Sequence, residues 1–220
     1  MAAEEVTRPR IVLISLNWQP YFDEAYGSLL TELGSKASLQ RAKKTGSAIR
    51  LLSEQPQPYA ALITDEALTN AKNARVWEAV LQYVRQGGTS VIMGLFASYV
   101  KPMAIKPFFA KAGLQWEVGS YHRTTLVLNR EVVANDLATK LPPQYSQKAV
   151  FVKNVAFTDA WYHTDENSVV ESRVFAPTNA NIAGETAVAL ASIGRGKLRY
   201  VGDVNTEKGS FAVILAMCGL

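Results

Sequence analysis

Polar side chains with the means to do chemistry stand directly after several apolar runs of this chain. Asp65 and Glu66 follow the run at 60–64, and Asp203 and Asn205 stand at the end of the run at 197–204. Neighbouring carboxylates can share a proton and divide into acid and base. With amide oxygens they can also hold a divalent cation. Asn17, Trp18 and Gln19 follow the run at 11–16 and offer two amides and an indole. The run at 90–93 leads into Gly94, Leu95, Phe96, Ala97 and Ser98. His122, in Gly119-Ser120-Tyr121-His122-Arg123, is a candidate general base. The candidates for catalysis are therefore Asp65, Glu66, Asp203 and His122. Those for ligand contact are Asn17, Trp18, Gln19, Gly94, Leu95, Phe96, Ser98 and Asn205.

Each has a plain structural reading as well. Asp65 caps a helix beginning near Glu66, Asp203 and Asn205 bond a turn, and Trp18 is a core or staple residue. The stretch from Phe151 to Trp161 and Tyr162 lines a pocket or packs a core. Several chemistries lack their residues. Gly94 to Ser98 is not the G-x-S-x-G turn of a serine hydrolase. His122 and His163 have no partner at metal spacing, so no metal site is expected. The glycines at 94, 194 and 196 open no phosphate loop, so no nucleotide cofactor is expected. Cys218, the single cysteine, falls on the inward stripe of a helix with Phe211, Ile214 and Leu215, where thiols are inert.

The elements that position these residues are legible from spacing. The runs at 11–16, 60–64 and 90–93 are of the kind buried on both faces, as in a parallel sheet. A shorter strand is expected at 37–42. Phe22, Ala25, Tyr26, Leu29, Leu30 and Leu33 recur at helical spacing, with Gly34 as the stop. Further helices are expected at 46–55, around 76–84 ahead of Gly87-Gly88, and at 102–112. The second half predicts strands at 121–129 and 148–155, a helix at 130–140 and a polar loop at 164–185. A hairpin then turns at Gly194-Arg195-Gly196, and a last helix spans 209–218. Residues 1–9 read as a frayed arm. The expected class is α/β: a mostly parallel central sheet with helices on both faces, plus a hairpin-rich C-terminal part, in one domain over 1–220.

Three segments together resemble the class I glutamine amidotransferase-like superfamily. They are QYVRQGGTSVIMG at 82–94, GRGKLRYVGDVN at 194–205 and IVLISLNWQPYF at 11–22. The resemblance implies a flavodoxin-like sheet with a nucleophile elbow after the strand ending at Met93. The family places a cysteine on that turn, a histidine to take its proton and a glutamate to orient the histidine. Here the turn reads Met93-Gly94-Leu95-Phe96-Ala97-Ser98, without a thiol. The late strand carries Asp203-Val204-Asn205-Thr206-Glu207 in place of His-x-Glu, and Glu207 matches in type only. The resemblance therefore implies a member without glutaminase chemistry.

Composition sets the remaining bounds. The chain has 220 residues, 48% hydrophobic and 19% charged, as folded globular proteins do. Its net charge of +4 is spread along the chain, which with no recognisable module argues against nucleic acid. One cysteine allows no internal disulfide and favours a reducing compartment. No run is long enough to span a bilayer, and residues 1–10 show no signal region, so a cytoplasmic protein is expected. Two functions fit: a pseudoenzyme or binding protein for a small molecule or protein partner, or a non-thiol enzyme using carboxylate or histidine acid–base chemistry on a small metabolite. A homo-oligomer is compatible with either.

Overall fold

The computed structural model describes residues 8–220. The expected arm thus lies mostly outside the described residues. Its last two positions are tied down: Arg8 donates to the Ser35 carbonyl, and the Pro9 carbonyl accepts from the Ser38 amide.

The first half alternates as its periodicity requires. Strand β1 (Arg10–Ile14) leads to the short helix α1 (Phe22–Ala25), then α2 (Gly27–Lys36), β2 (Ser38–Ala42), α3 (Thr45–Ser53) and β3 (Ala60–Ile63). Helix α4 (Ala74–Arg85) and β4 (Thr89–Ile92) follow, then the single turn α5 (Phe96–Tyr99) and α6 (Pro102–Ala110). The second half holds β5 (Glu117–Leu128), the single turn α7 (Asn135–Ala138), β6 (Gln144–Lys153), β7 (Ala160–His163), β8 (Val188–Ile193), β9 (Gly196–Val201) and α8 (Lys208–Met217).

All nine strands form one sheet in the order β2-β1-β3-β4-β9-β8-β7-β5-β6. The sheet is mixed, a correction to the mostly parallel sheet expected. Strands β2, β1, β3, β4 and β9 run parallel, whereas β9, β8, β7, β5 and β6 pair antiparallel. The reason lies in the connections. Helical crossovers return the chain in the same direction, while the tight Gly194-Arg195-Gly196 turn reverses it. β9 is the hinge between the halves. The antiparallel half also curls shut: β6 bonds back through Val150 to the Gly202 carbonyl at 2.9 Å and through Val152 to Thr186 at 2.9 Å. Only glycine fits at position 202, because a Cβ there would overlap the Val150 carbonyl oxygen.

Alternate residues of the parallel strands supply two cores. Val12, Ile14, Ile63, Ile92 and Tyr200 face α3, α4 and α6, packing on Leu51, Trp77 and Phe108. Ile11, Leu13, Leu62, Val91 and Val201 face α2 and α8, packing on Leu29, Leu33 and Ile214. Helices on both faces are therefore as expected. Local differences have local causes. The helical stripe at 22–33 breaks at Tyr26 and then runs past Gly34 to Lys36. The helix expected at 130–140 shrinks to α7, because Asn129 turns the chain by accepting from the Glu131 amide and β-branched Val132 and Val133 follow. β7 was unforeseen; it lies inside the aromatic stretch, and Trp161 and Tyr162 are buried core.

Candidate functional site

The parallel register puts the C-terminal ends of β1, β3, β4 and β9 at one end of the sheet. Asn17, Asp65-Glu66, Gly94 to Ser98 and Asp203-Asn205 are thereby brought to the same end, where open sheets of this kind bind ligands.

Within that cluster the two aspartates are committed to the backbone. Asp65, only 3% exposed, accepts from the Ala67 amide at 3.0 Å and from the Asn17 amide at 2.9 Å. It caps the short helical turn at 66–69 and ties the loop after β1 to the loop after β3. Burial pushes its pKa up to about 6, against the lowering effect of those two amides. Asp203, also 3% exposed, accepts from the Asn205 amide at 2.6 Å and the Glu207 amide at 2.7 Å, and burial raises its pKa. It organises the turn that starts α8. Glu66 is freer. One of its oxygens accepts from the Asn17 carboxamide at 2.7 Å, and the other is buried without a hydrogen-bond partner.

The elbow itself turns inward. Gly94 has φ +68°, and a Cβ there would meet the Thr64 carbonyl at 2.9 Å and the Phe22 ring at 3.0 Å. Leu95 and Phe96 are buried on opposite faces of the sheet, the latter against Phe108 at 5.3 Å between ring centres. Ser98 is the exposed residue of this turn, and its hydroxyl has no hydrogen-bond partner among the described residues. The chain's thiol is elsewhere: Cys218 is buried at the end of α8, with its pKa pushed up to about 12 by burial.

The single crevice expected from the sequence is divided by α5. On one side is a polar cleft of about 460 Å³, lined by Asn17, Glu66, Asn70, Lys72, Tyr99 and Lys101 among others. The Tyr99 hydroxyl bonds that of Tyr21, which raises the Tyr21 pKa to about 12. On the other side is an elbow pocket of about 420 Å³, with walls of Ala97, Val100, Val118, Tyr121 and Val150 and with Ser98 and Asn205 as polar groups. Asp65, Asp203, Gly94, Leu95 and Phe96 line neither cavity. Trp18 and Gln19 line neither as well; the Trp18 ring carries the Lys43 ammonium 3.3 Å from its centre, and Gln19 bonds back to Asn17. His122 is set apart on β5. It stacks on Phe151 at 4.8 Å, its Nε2 is buried without a partner, and burial lowers its pKa. It lines a third and larger groove, of about 1410 Å³, beneath the segment 169–178.

Sequence reasoning missed Tyr99, Lys101, Tyr121 and Val150. Tyr99 follows the elbow by one residue and was within reach by position, and Tyr121 alternates with His122 on β5 and was within reach of strand periodicity. Val150 meets Tyr121 only through the pairing of β5 with β6, which one sequence does not disclose. Among the described residues no group of three or more His, Cys, Asp or Glu side chains is placed to hold a metal ion. No helix among them is long and apolar enough to cross a membrane.

No protein-family model and no curated protein matches the sequence. Solved structures do match. A ThuA-like protein from Bacteroides uniformis superposes with a TM-score of 0.57 at 12% identity, over 98% of this chain and 92% of the other. A second ThuA-like protein, from Parabacteroides merdae, gives 0.52 at 13% identity over 96% and 88%. A β-galactosidase from Bacillus circulans sp. alkalophilus gives 0.60 at 11% identity, with 96% of this chain matching only 31% of that one. At such identities the likeness establishes the fold alone: this chain shares its fold with the ThuA-like proteins.

Proposed function

We propose that this chain is a binding module on an amidotransferase-like fold, without glutaminase activity, whose ligand is a small molecule held at the elbow pocket. The observation that carries the reading is the elbow itself. The turn where the resembled family needs a thiolate holds Gly94, Leu95, Phe96, Ala97 and Ser98, and the one cysteine is buried at the far end of α8. Acid–base chemistry by Asp65 or Asp203 has weak support, because both spend their carboxylate oxygens on backbone amides and face neither cavity. What the pocket offers is apolar walls and two polar groups, Ser98 and Asn205, whose side chains make no internal hydrogen bond among the described residues. That combination suits noncovalent binding.

The test has two parts. Ammonia release from glutamine should stay at the uncatalysed rate. A thermal-shift screen of small metabolites should yield a stabilising ligand, since ligand at 100 times its Kd adds about 2.7 kcal/mol. Glutamine hydrolysis would overturn the reading. A flat screen with a co-purifying protein would replace the small molecule by a protein partner.

A further inference from the structure

The elbow pocket does not end at β5. Tyr121 lines it and also lines the large groove under the segment 169–178. Strand geometry explains the shared wall. Tyr121 and Arg123 lie two apart on β5 and so on one face, opposite Val150 and Lys148 of β6. That face is apolar at its pocket end and cationic at its groove end.

The segment above it is latched in place. The Glu171 amide donates to the Arg123 carbonyl at 2.8 Å, and the Thr124 hydroxyl to the Val169 carbonyl at 2.8 Å. The Glu171 carboxylate accepts from Thr125 at 3.0 Å and from Ser146 at 2.8 Å. This latch leaves Arg173 and the exposed ring of Phe175 over the groove.

Charge in the groove is unbalanced. Arg123, Lys148 and Arg173 line it against one carboxylate, Glu171, whose two oxygens are already engaged. Arg123 has a partner in Glu207 at 2.5 Å. Lys148 is half-buried, and among the described residues its ammonium has no carboxylate or hydrogen-bond partner; it meets only the Tyr121 ring, 5.4 Å away. A half-buried cation without a counter-ion loses hydration that an anion would replace.

We infer that pocket and groove form one site for an amphipathic anion. Its apolar body lies among Val100, Val118 and Val150, and its carboxylate head lies on Lys148 and Arg173 across the Tyr121 ring. This inference rests on the binding reading above and names its ligand class.

Octanoate is the probe, titrated calorimetrically into the full chain at low salt, with octylamine and acetate as controls for head charge and for body. Octanoate should bind about tenfold or more tightly than either control, because each lacks one half of the match. The double variant Lys148→Gln/Arg173→Gln should weaken octanoate about tenfold without lowering the melting temperature of the free protein, because among the described residues neither cation has a carboxylate or hydrogen-bond partner to lose. Equal binding of octylamine, or undiminished binding by the double variant, overturns the inference. If octanoate fails while another small molecule stabilises the chain at the elbow pocket, the inference falls and the binding reading stands.

Discussion

Asp65 offers a measurement of how the sheet end is built. Its carboxyl is 3% exposed, and burial moves its pKa from the ordinary 3.8 to about 6. The folded state thus holds this proton more tightly than the unfolded chain does. The resulting stabilisation is complete below the unfolded value and disappears as pH rises through about 6. At about 1.4 kcal/mol per pKa unit, that difference is about 3 kcal/mol. Asp65→Asn does not titrate, so the other groups cancel when the two proteins are compared. The unfolding free energy of the native protein minus that of the variant should therefore be larger at about pH 4 than at about pH 7.5, by about 2.5 kcal/mol, since pH 4 lies just above the unfolded value. At the higher pH the variant loses an acceptor for the Asn17 or the Ala67 amide, which costs about 1–2 kcal/mol. It also sheds a buried charge, so the two proteins should have similar stability there. Urea denaturation followed by the fluorescence of the four tryptophans reads this directly. A difference that does not change with pH, or that grows as pH rises, would refute the burial argument.

Two further substitutions test the turns around the site. Gly94→Ala places a Cβ against the Thr64 carbonyl and the Phe22 ring at φ +68°. It should lower stability by about 2–4 kcal/mol, seen as a drop in melting temperature of roughly 4–16 °C. Asp203→Ala strips the acceptors from the Asn205 and Glu207 amides. It should cost about 2–4 kcal/mol and speed hydrogen exchange at the start of α8, while Asp203→Asn should cost about half as much.

Buried parallel strands were legible because their apolar runs are continuous and their connections are helices of readable period. The Gly194-Arg195-Gly196 hairpin announced the first antiparallel pair, β8 with β9. The rest of the antiparallel half was hidden. β7 contributes four residues inside an aromatic stretch, too short to show alternation. The return of β6 onto Gly202 and Thr186 is a contact between distant segments. The same division holds at the site. Asn17, Glu66, Ser98 and Asn205 follow strands, and their place on the cavity walls was legible from position alone, as was the capping role of Asp65. The partition of the crevice by α5 was not, because it depends on Phe96 turning down into the core while Tyr99 and Ser98 point to opposite cavities. His122 was grouped with the carboxylates for its chemistry. Its strand instead carries it to the groove beside Phe151.

On the proposed reading, ligand occupies the pocket beside the thiol-free elbow. The measurement that tests it most directly compares two cavity-filling variants, with calorimetry against any stabilising ligand from the screen. Ser98→Trp puts an indole into the elbow pocket, and Thr69→Trp puts one into the neighbouring polar cleft. The expected result is that Ser98→Trp abolishes binding while Thr69→Trp leaves the affinity within about twofold, since its indole meets no part of the ligand. Loss of binding in Thr69→Trp with full binding in Ser98→Trp would contradict the claim.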